Sequence, residues 1–159
     1  MEMTENYLQI LSESLDKKIV ILEELNRLTE VQKSIVSAEE FDDSAFEDNI
    51  NKKSGLINEV QNLDKGFEML YNNIKQQIEG NKEQYRSQIA ELQTKIKKVL
   101  DDSTSLQVAE ASNKRLIESR FASMKKEVYQ VKKSRDMAAS YYRTMNNITT
   151  EPYFMDKKQ

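Results

Sequence analysis

The sequence predicts an all-α fold, because it is poor in turn-forming residues and its apolar residues follow a helical period. The 159 residues include three glycines and one proline, whereas an average domain of this length carries roughly 11 and 8. Apolar side chains recur at steps of three and four, as in an amphipathic helix. A β or α/β fold would need turns at most strand ends. We therefore expect an elongated antiparallel three-helix bundle, or coiled coil, that forms a single domain over residues 1–159.

The first helix is predicted over residues 5–36. Leucine and isoleucine side chains keep the helical period from Leu8 to Leu28, and the pattern fades before the acidic stretch 37–48. Six of the ten residues from Glu39 to Asp48 are acidic, which indicates a solvated connection rather than a core element.

The second helix is predicted over residues 44–79. Ser44 and Glu47 have the spacing of a capping box, in which the two side chains satisfy backbone amides at the start of a helix. Gly80 and Asn81 follow the last periodic residue, so we expect them to end the helix in a left-handed turn.

The third helix is predicted over residues 81–146, because that segment contains no glycine or proline. Its length would be roughly 100 Å, whereas each of the first two helices spans roughly 50 Å. A break at Asp101–Ser105 is the alternative, since short polar side chains there compete for backbone hydrogen bonds. An unbroken helix would leave the apolar stripe from Ile117 to Met145 uncovered. A second copy, another protein or the chain's own flexible tail, residues 147–159, could cover it.

The net charge of the chain changes from negative to positive just before this apolar stripe. Residues 1–113 carry 13 basic and 22 acidic side chains, whereas residues 114–143 carry nine basic and three acidic ones. A net charge of −3 and a pI of about 5.2 for the whole chain disfavour nucleic-acid binding, for which basic domains are typical. We therefore expect the basic segment to be either a solvated helix face or a surface that attracts an acidic partner.

The composition excludes most catalytic sites. The chain has no histidine and no cysteine, so neither a Ser-His-Asp group nor a Cys/His zinc site can form. Its three glycines are isolated, and no glycine-rich phosphate loop is present. We therefore expect no enzymatic activity, no cofactor and no metal. The longest aliphatic run is Ile19–Leu22, far short of a membrane span, so we expect a cytoplasmic protein without an integral membrane segment.

The predicted partner-binding residues are apolar side chains of the third helix and of the tail. Three of them, Tyr153, Phe154 and Met155, follow Pro152 in an otherwise polar tail. Terminal tails are mobile unless they dock, so three large apolar side chains there indicate an anchor. The complete set is Ile117, Phe121, Met124, Val128, Val131, Met137, Tyr141, Tyr142, Met145, Tyr153, Phe154 and Met155.

Several features of the sequence form a recognisable set, in a layout of acidic first helix, second helix and long third helix. They are the Gly80-Asn81 turn, Gln107, Asn113, Leu116, the Ala138-Ala139-Ser140-Tyr141-Tyr142 run and the Pro152-Tyr153-Phe154-Met155-Asp156-Lys157-Lys158 run. With these features the chain resembles, over nearly its whole length, bacterial flagellar export chaperones of the FlgN type, and the two C-terminal runs resemble the clostridial variant. The neighbouring FliT type remains the alternative.

The resemblance implies a small cytosolic chaperone without ATPase activity. Such proteins bind the C-terminal amphipathic helices of hook–filament junction proteins, or of a cap protein, before type III export, and so prevent premature assembly. The family layout places cargo contact on the second half of the last helix, which is the Ile117–Met145 stripe here. Components of the export ATPase or gate would be further partners.

Two other functions fit the same residues. A dimeric coiled-coil scaffold or adaptor would pair its apolar stripe with a second copy and would need no chaperone activity. A basic helix could also bind nucleic acid or an anionic membrane surface. Light scattering and salt-dependent binding measurements discriminate between these possibilities.

Overall fold

The computed structural model describes residues 2–124 and 128–146, with side chains given for 3–124 and 132–146. These residues form four α-helices: α1 (Glu2–Ser37), α2 (Asp43–Gly80), α3 (Arg86–Ser123) and α4 (Val128–Asn146). No strand occurs within the described ranges. The predicted all-α class is therefore confirmed, but a fourth helix stands where one long third helix was expected.

The chain divides into two compact units. Unit 1 combines α1 up to Leu22, α2 from Glu59 onward and α3 up to Ser103. Unit 2 combines the rest of α1, the first part of α2 up to Asn58, the rest of α3 and the whole of α4. Each of the first three helices thus contributes to both units, and α4 belongs to unit 2 alone.

In unit 1, three helical segments bury leucine, isoleucine and aromatic side chains between them. Polar contacts at the edge of this core set the pairing of the helices. Ser12 donates to Glu91 at 2.8 Å, and Lys95 lies 3.0 Å from Asp16 four residues further along both helices, so α1 and α3 run in the same direction. Lys18 contacts Asp64 of α2 at 2.6 Å. The buried apolar residues of unit 1 include Leu8, Leu11, Leu15, Val60, Tyr71, Ile74, Ile78, Tyr85, Leu92, Ile96 and Val99.

In unit 2, α4 adds a fourth helical segment to α1, α2 and α3. Ser134 donates to Glu47 of α2 at 3.1 Å, and Tyr141, seven residues later, contacts Glu110 of α3. The next tyrosine, Tyr142, faces Lys114 of α3. Ser134 pairs with Glu47, and Tyr141 lies against Lys53 of the same helix, so α4 runs parallel to α2.

Specific hydrogen bonds satisfy backbone groups at the end of α1 and at the start of α2. The Arg120 guanidinium of α3 donates to the carbonyls of Val36 at 3.3 Å and Glu39 at 3.0 Å, which satisfies acceptors left open where α1 ends. At the start of α2, the Asp42 carboxylate accepts the Ala45 amide at 3.0 Å. Asp42 is therefore the N-cap.

Two sequence-based expectations about helix ends are wrong. The predicted capping box at Ser44 and Glu47 does not start α2, because α2 begins at Asp43 and Glu47 is used instead to bind α4. Gly80 does not have a positive φ, so the predicted left-handed turn is not formed. The Asn81 amide instead donates to the Ile78 carbonyl at 3.2 Å, and the chain continues through right-handed turns into α3.

The predicted third helix over 81–146 is also corrected. Helix α3 passes unbroken through Asp101–Ser105, where the alternative placed a break, and it ends at Ser123. Helix α4 then starts at Val128. A continuous helix would leave the apolar side chains of its second half in water, whereas a second helix paired with α2 and α3 buries them.

Candidate functional site in unit 2

The site is built from two adjoining features of unit 2: a buried polar cluster and a groove between α3 and α4. The polar cluster contains side chains from all four helical segments. Its members are Thr29 and Gln32 of α1, Lys53 of α2, Glu110 and Asn113 of α3, and Tyr141 of α4, and each is at most 3% exposed.

Lys53 is the centre of the cluster. Its Nζ donates to Glu110 Oε1 at 2.8 Å and to Gln32 Oε1 at 3.2 Å. The same ammonium lies 4.6 Å from the centre of the Tyr141 ring, a favourable position for a cation over an aromatic face. The Tyr141 hydroxyl donates to the other carboxylate oxygen of Glu110. Glu110 is thus held by one donor from α2 and one from α4.

Asn113 ties α1 into the same cluster. Its Nδ2 donates to the Thr29 carbonyl at 2.8 Å and to Gln32 Oε1 at 3.0 Å. Thr29 uses its own hydroxyl to bond the Leu25 carbonyl at 2.7 Å. Because buried polar groups are costly unless they are paired, this network favours one relative placement of the four segments of unit 2.

Burial shifts the acid–base properties of the cluster. Loss of water around Lys53 lowers its pKa below that of an ordinary lysine, and the charge of Glu110 opposes this shift in part. Burial, and then the negative charge of Glu110, raises the pKa of the Tyr141 hydroxyl far above its usual range. The hydroxyl therefore keeps its proton at physiological pH and donates it to the carboxylate.

Three phenylalanines of unit 2 pack against one another beside the α1–α2 connection. Phe41, Phe46 and Phe121 have ring centres 5.4–5.7 Å apart, and two of the three pairs meet edge to face, a favoured arrangement. Arg120 lies 5.9 Å from the Phe41 ring centre. Phe121 is 3% exposed, so this predicted partner-binding residue contributes to the core.

A groove of about 340 Å³ lies between α3 and α4. Its apolar lining comes from Ile117, Phe121 and Ala138, and Tyr142 also lines it. The remaining lining residues are charged, polar or small: Lys114, Glu118, Arg135, Ala139, Arg143 and Asn146. Three basic side chains against one acidic side chain give the rim a positive potential, which attracts acidic groups.

The Tyr142 hydroxyl is an unusual feature of this groove. Tyr142 is 7% exposed, and its hydroxyl has no hydrogen-bond partner among the described residues. Burial, followed by the charges of Glu110 and Glu118, raises its pKa, so the hydroxyl is a donor at neutral pH. A buried donor without an acceptor is costly.

Nine of the twelve predicted partner-binding residues belong to unit 2, and three of them, Ile117, Phe121 and Tyr142, line the groove. Ile117, Phe121, Tyr141 and Tyr142 are buried, and the methionines Met124, Met137 and Met145 are half-buried. Val128 and Val131 belong to α4, with no side-chain contacts described. Tyr153, Phe154 and Met155 lie outside the described residues. Whether this set contacts a partner stays a prediction.

Sequence analysis missed the polar cluster, although a signal for it exists. Lys53 falls in the helical period between Ile50 and Ile57, and Glu110 falls between Leu106 and Ile117. Polar residues at such positions interrupt an apolar stripe. Their opposite charges on segments expected to pair could have indicated a buried ion pair.

No described helix is long and apolar enough to cross a membrane. Across residues 2–124 and 128–146, no group of three or more acidic side chains could hold a metal ion. No family model matches the chain, and no curated protein or solved structure matches it.

Proposed function

We propose that the chain is a cytoplasmic chaperone of flagellar type III export. It would hold the C-terminal amphipathic helix of a hook–filament junction protein, or of a cap protein, and prevent premature assembly. The groove between α3 and α4 carries this proposal, together with the resemblance of the sequence to chaperones of the FlgN type.

Two features of the groove support binding of an amphipathic helix. Ile117, Phe121 and Ala138 give it an apolar lining for one face of the helix, although each side chain is at most 4% exposed. Lys114 and Arg143 lie on the rim and would attract acidic residues beside that face. A disordered cargo segment would fold as its apolar side chains enter the groove, as in other helix-in-groove complexes.

Reversible release follows from the same surface. Interactions with exposed basic side chains are screened by salt and contribute little affinity, whereas they speed the encounter with an acidic partner. Half-buried Met124, Met137 and Met145 would supply further adaptable apolar area. Such a site would bind cargo at micromolar concentration and hand it to components of the export ATPase or gate.

Isothermal titration with the C-terminal segment of a hook–filament junction protein tests the proposal. We expect binding heat at micromolar concentration, and at least a tenfold loss of affinity in Ala139→Glu. Ala139 is an exposed residue of α4 that lines the groove, so glutamate places a bulky, like-charged group against acidic cargo. The matched control is Ala111→Glu, the same change at an exposed α3 position outside the groove lining.

Absence of heat at micromolar concentration, or an equal loss in both variants, would count decisively against the proposal. Light scattering on the same samples addresses the scaffold alternative. A tight dimer that dissociates in Ala139→Glu but not in Ala111→Glu would assign the groove to a second copy of the chain.

A further inference from the structure

The connection between α2 and α3 is short, and part of its backbone is already helical. Residues 81–85 join the two helices as a run of turns, and none of residues 80–85 has a positive φ. The amides of Tyr85 and Ile89 donate to the carbonyls of Asn81 and Tyr85, which is the four-residue spacing of an α-helix. Only part of the connection therefore has to change for α2 and α3 to join as one helix.

The sequence of the connection favours a helix. Residues 81–86 read Asn-Lys-Glu-Gln-Tyr-Arg, and Lys, Glu, Gln and Arg are good helix formers. No glycine or proline occurs between Gly80 and Pro152, and Gly80 does not form a left-handed helix stop. The bend between α2 and α3 therefore depends on their packing and not on local sequence.

One apolar face passes through the connection without a change of register. Apolar residues that are at most 4% exposed lie seven apart on both sides of it: Tyr71, Ile78, Tyr85, Leu92 and Val99. Since seven residues make nearly two helical turns, these side chains would line one face of a continuous helix. A helical hairpin does not require this agreement, because its turn sets the phase of the second helix independently.

We propose that the chain exchanges α3 and α4 with a second copy of itself, by joining α2 and α3 into one helix through residues 81–85. Within each unit, the contacts of the exchanged segments with α1 and α2 are rebuilt with the second copy, so only the connection differs between the two forms. Exchange of identical elements is a low-cost route to a dimer.

The polar cluster of unit 2 is then shared by two chains, because Lys53 of one copy meets Glu110 of the other. The residues that line the α3–α4 groove all come from these two helices, so the groove belongs to one chain in either form. The exchange therefore does not depend on the proposed function.

Refolding the full chain from urea at micromolar and at near-millimolar concentration tests the exchange. Size-exclusion chromatography with light scattering should show a dimer whose fraction rises with the refolding concentration. This dimer should persist for hours after dilution, because separation of the exchanged helices requires unfolding. A chain that stays monomeric at every concentration, or a dimer that dissociates at once on dilution, would overturn the proposal.

Glu83 offers two matched variants at one position of the connection. Its side chain is 91% exposed, and the backbone hydrogen bonds of the connection are donated by Asn81, Tyr85 and Arg86, so Glu83→Pro removes none of them. In a joined helix, the same proline would lose the bond to the Glu79 carbonyl and clash with it. We expect Glu83→Pro to form at least about tenfold less dimer than the original chain, and Glu83→Ala to form no less.

Equal amounts of dimer in the two Glu83 variants would place the exchange elsewhere and overturn the proposal. Far-ultraviolet circular dichroism checks that the monomers have equal helicity. If Glu83→Pro loses helix, Glu83→Gly replaces it, and a several-fold decrease in dimer relative to Glu83→Ala is expected.

A charge reversal identifies the exchanged helices. Lys53→Glu and Glu110→Lys each place two like charges in the buried cluster, where the original charged atoms lie 2.8 Å apart. When these two variants are refolded together, opposite charges can meet only between copies. We expect a heterodimer with a higher urea midpoint than either variant alone, and no gain from mixing would overturn the proposal. Only this chain is present, so failure here is distinct from a failed titration with a junction-protein segment.

Discussion

Replacing Lys53 with methionine tests whether the buried polar cluster stabilises unit 2. The side chains of Lys53 and Glu110 are 0% and 3% exposed, and their charged atoms lie 2.8 Å apart. Methionine keeps the approximate length and volume of lysine and removes its charge, so the main effect is electrostatic. Glu110 would remain buried with the Tyr141 hydroxyl as its remaining donor within the described cluster. Because removing one partner of a buried ion pair costs about 3–5 kcal/mol, we expect a loss of that size in the free energy of unfolding.

Removing the rest of the cluster should recover that stability. With Lys53→Met and Glu110→Leu together, no charge of the cluster stays buried, but the Tyr141 hydroxyl then loses its acceptor. Adding Tyr141→Phe removes the hydroxyl that these two changes leave unpaired. Apolar replacements of a whole buried ionic group are often neutral or stabilising by about 1–4 kcal/mol, so the triple variant should be at least as stable as the original chain.

Urea unfolding followed by circular dichroism measures these differences. The control is Arg27→Met, which breaks a 2.6 Å ion pair with Glu24 whose side chains are 61% and 42% exposed. Its urea midpoint should not change, because exposed pairs contribute little. A midpoint for Lys53→Met that matches the Arg27→Met midpoint would refute the role given to the cluster. A triple variant as unstable as Lys53→Met would refute the electrostatic explanation.

Three further predictions follow from the same structure. Gly55→Ala and Gly66→Ala should each raise the free energy of unfolding by roughly 0.5–1 kcal/mol, since both glycines lie within α2 and nothing lies within 4 Å of the added Cβ; a lower urea midpoint would contradict this. Phe121→Ala should cost about 3–5 kcal/mol because the ring is 3% exposed, and an unchanged midpoint would show that the ring is not part of the core. Burial raises the pKa of Tyr141 in the folded chain, so its stabilising effect is complete below the unfolded value of about 10 and is lost as the pH rises above it. Urea unfolding at increasing alkaline pH should therefore show a shallower decline for Tyr141→Phe, by up to about 1.4 kcal/mol per pH unit, and parallel declines would exclude this linkage.

The helical class and most of the core could be predicted from the sequence because they depend on local patterns. Leu8, Leu11 and Leu15 follow the helical period, and all three are buried. The start of α2 could be predicted only to within a residue. Asp42 and Ser44 are both capping residue types, and the choice between them depends on which backbone amide each oxygen meets in the fold.

The end of α3 could not be predicted in the same way. No glycine or proline occurs between Asn81 and Asn146, so local preference favours one continuous helix. Its division depends on contacts between residues distant in sequence, such as Ser134 with Glu47 and Tyr141 with Glu110. The burial gained from these contacts outweighs the loss of a few helical hydrogen bonds.

The sequence by itself determined that this protein is helical, that histidine and cysteine chemistry is absent, and that basic charge concentrates after residue 113. These properties depend on composition and on the spacing of neighbouring residues. The tertiary structure alone decided that Lys53, Glu110 and Tyr141 meet, that Ile117 and Phe121 are covered by the chain's own fold, and that a groove with a basic rim remains beside them. Such features depend on how segments far apart in sequence pack together, and a helical period specifies which face is buried but not which partner covers it.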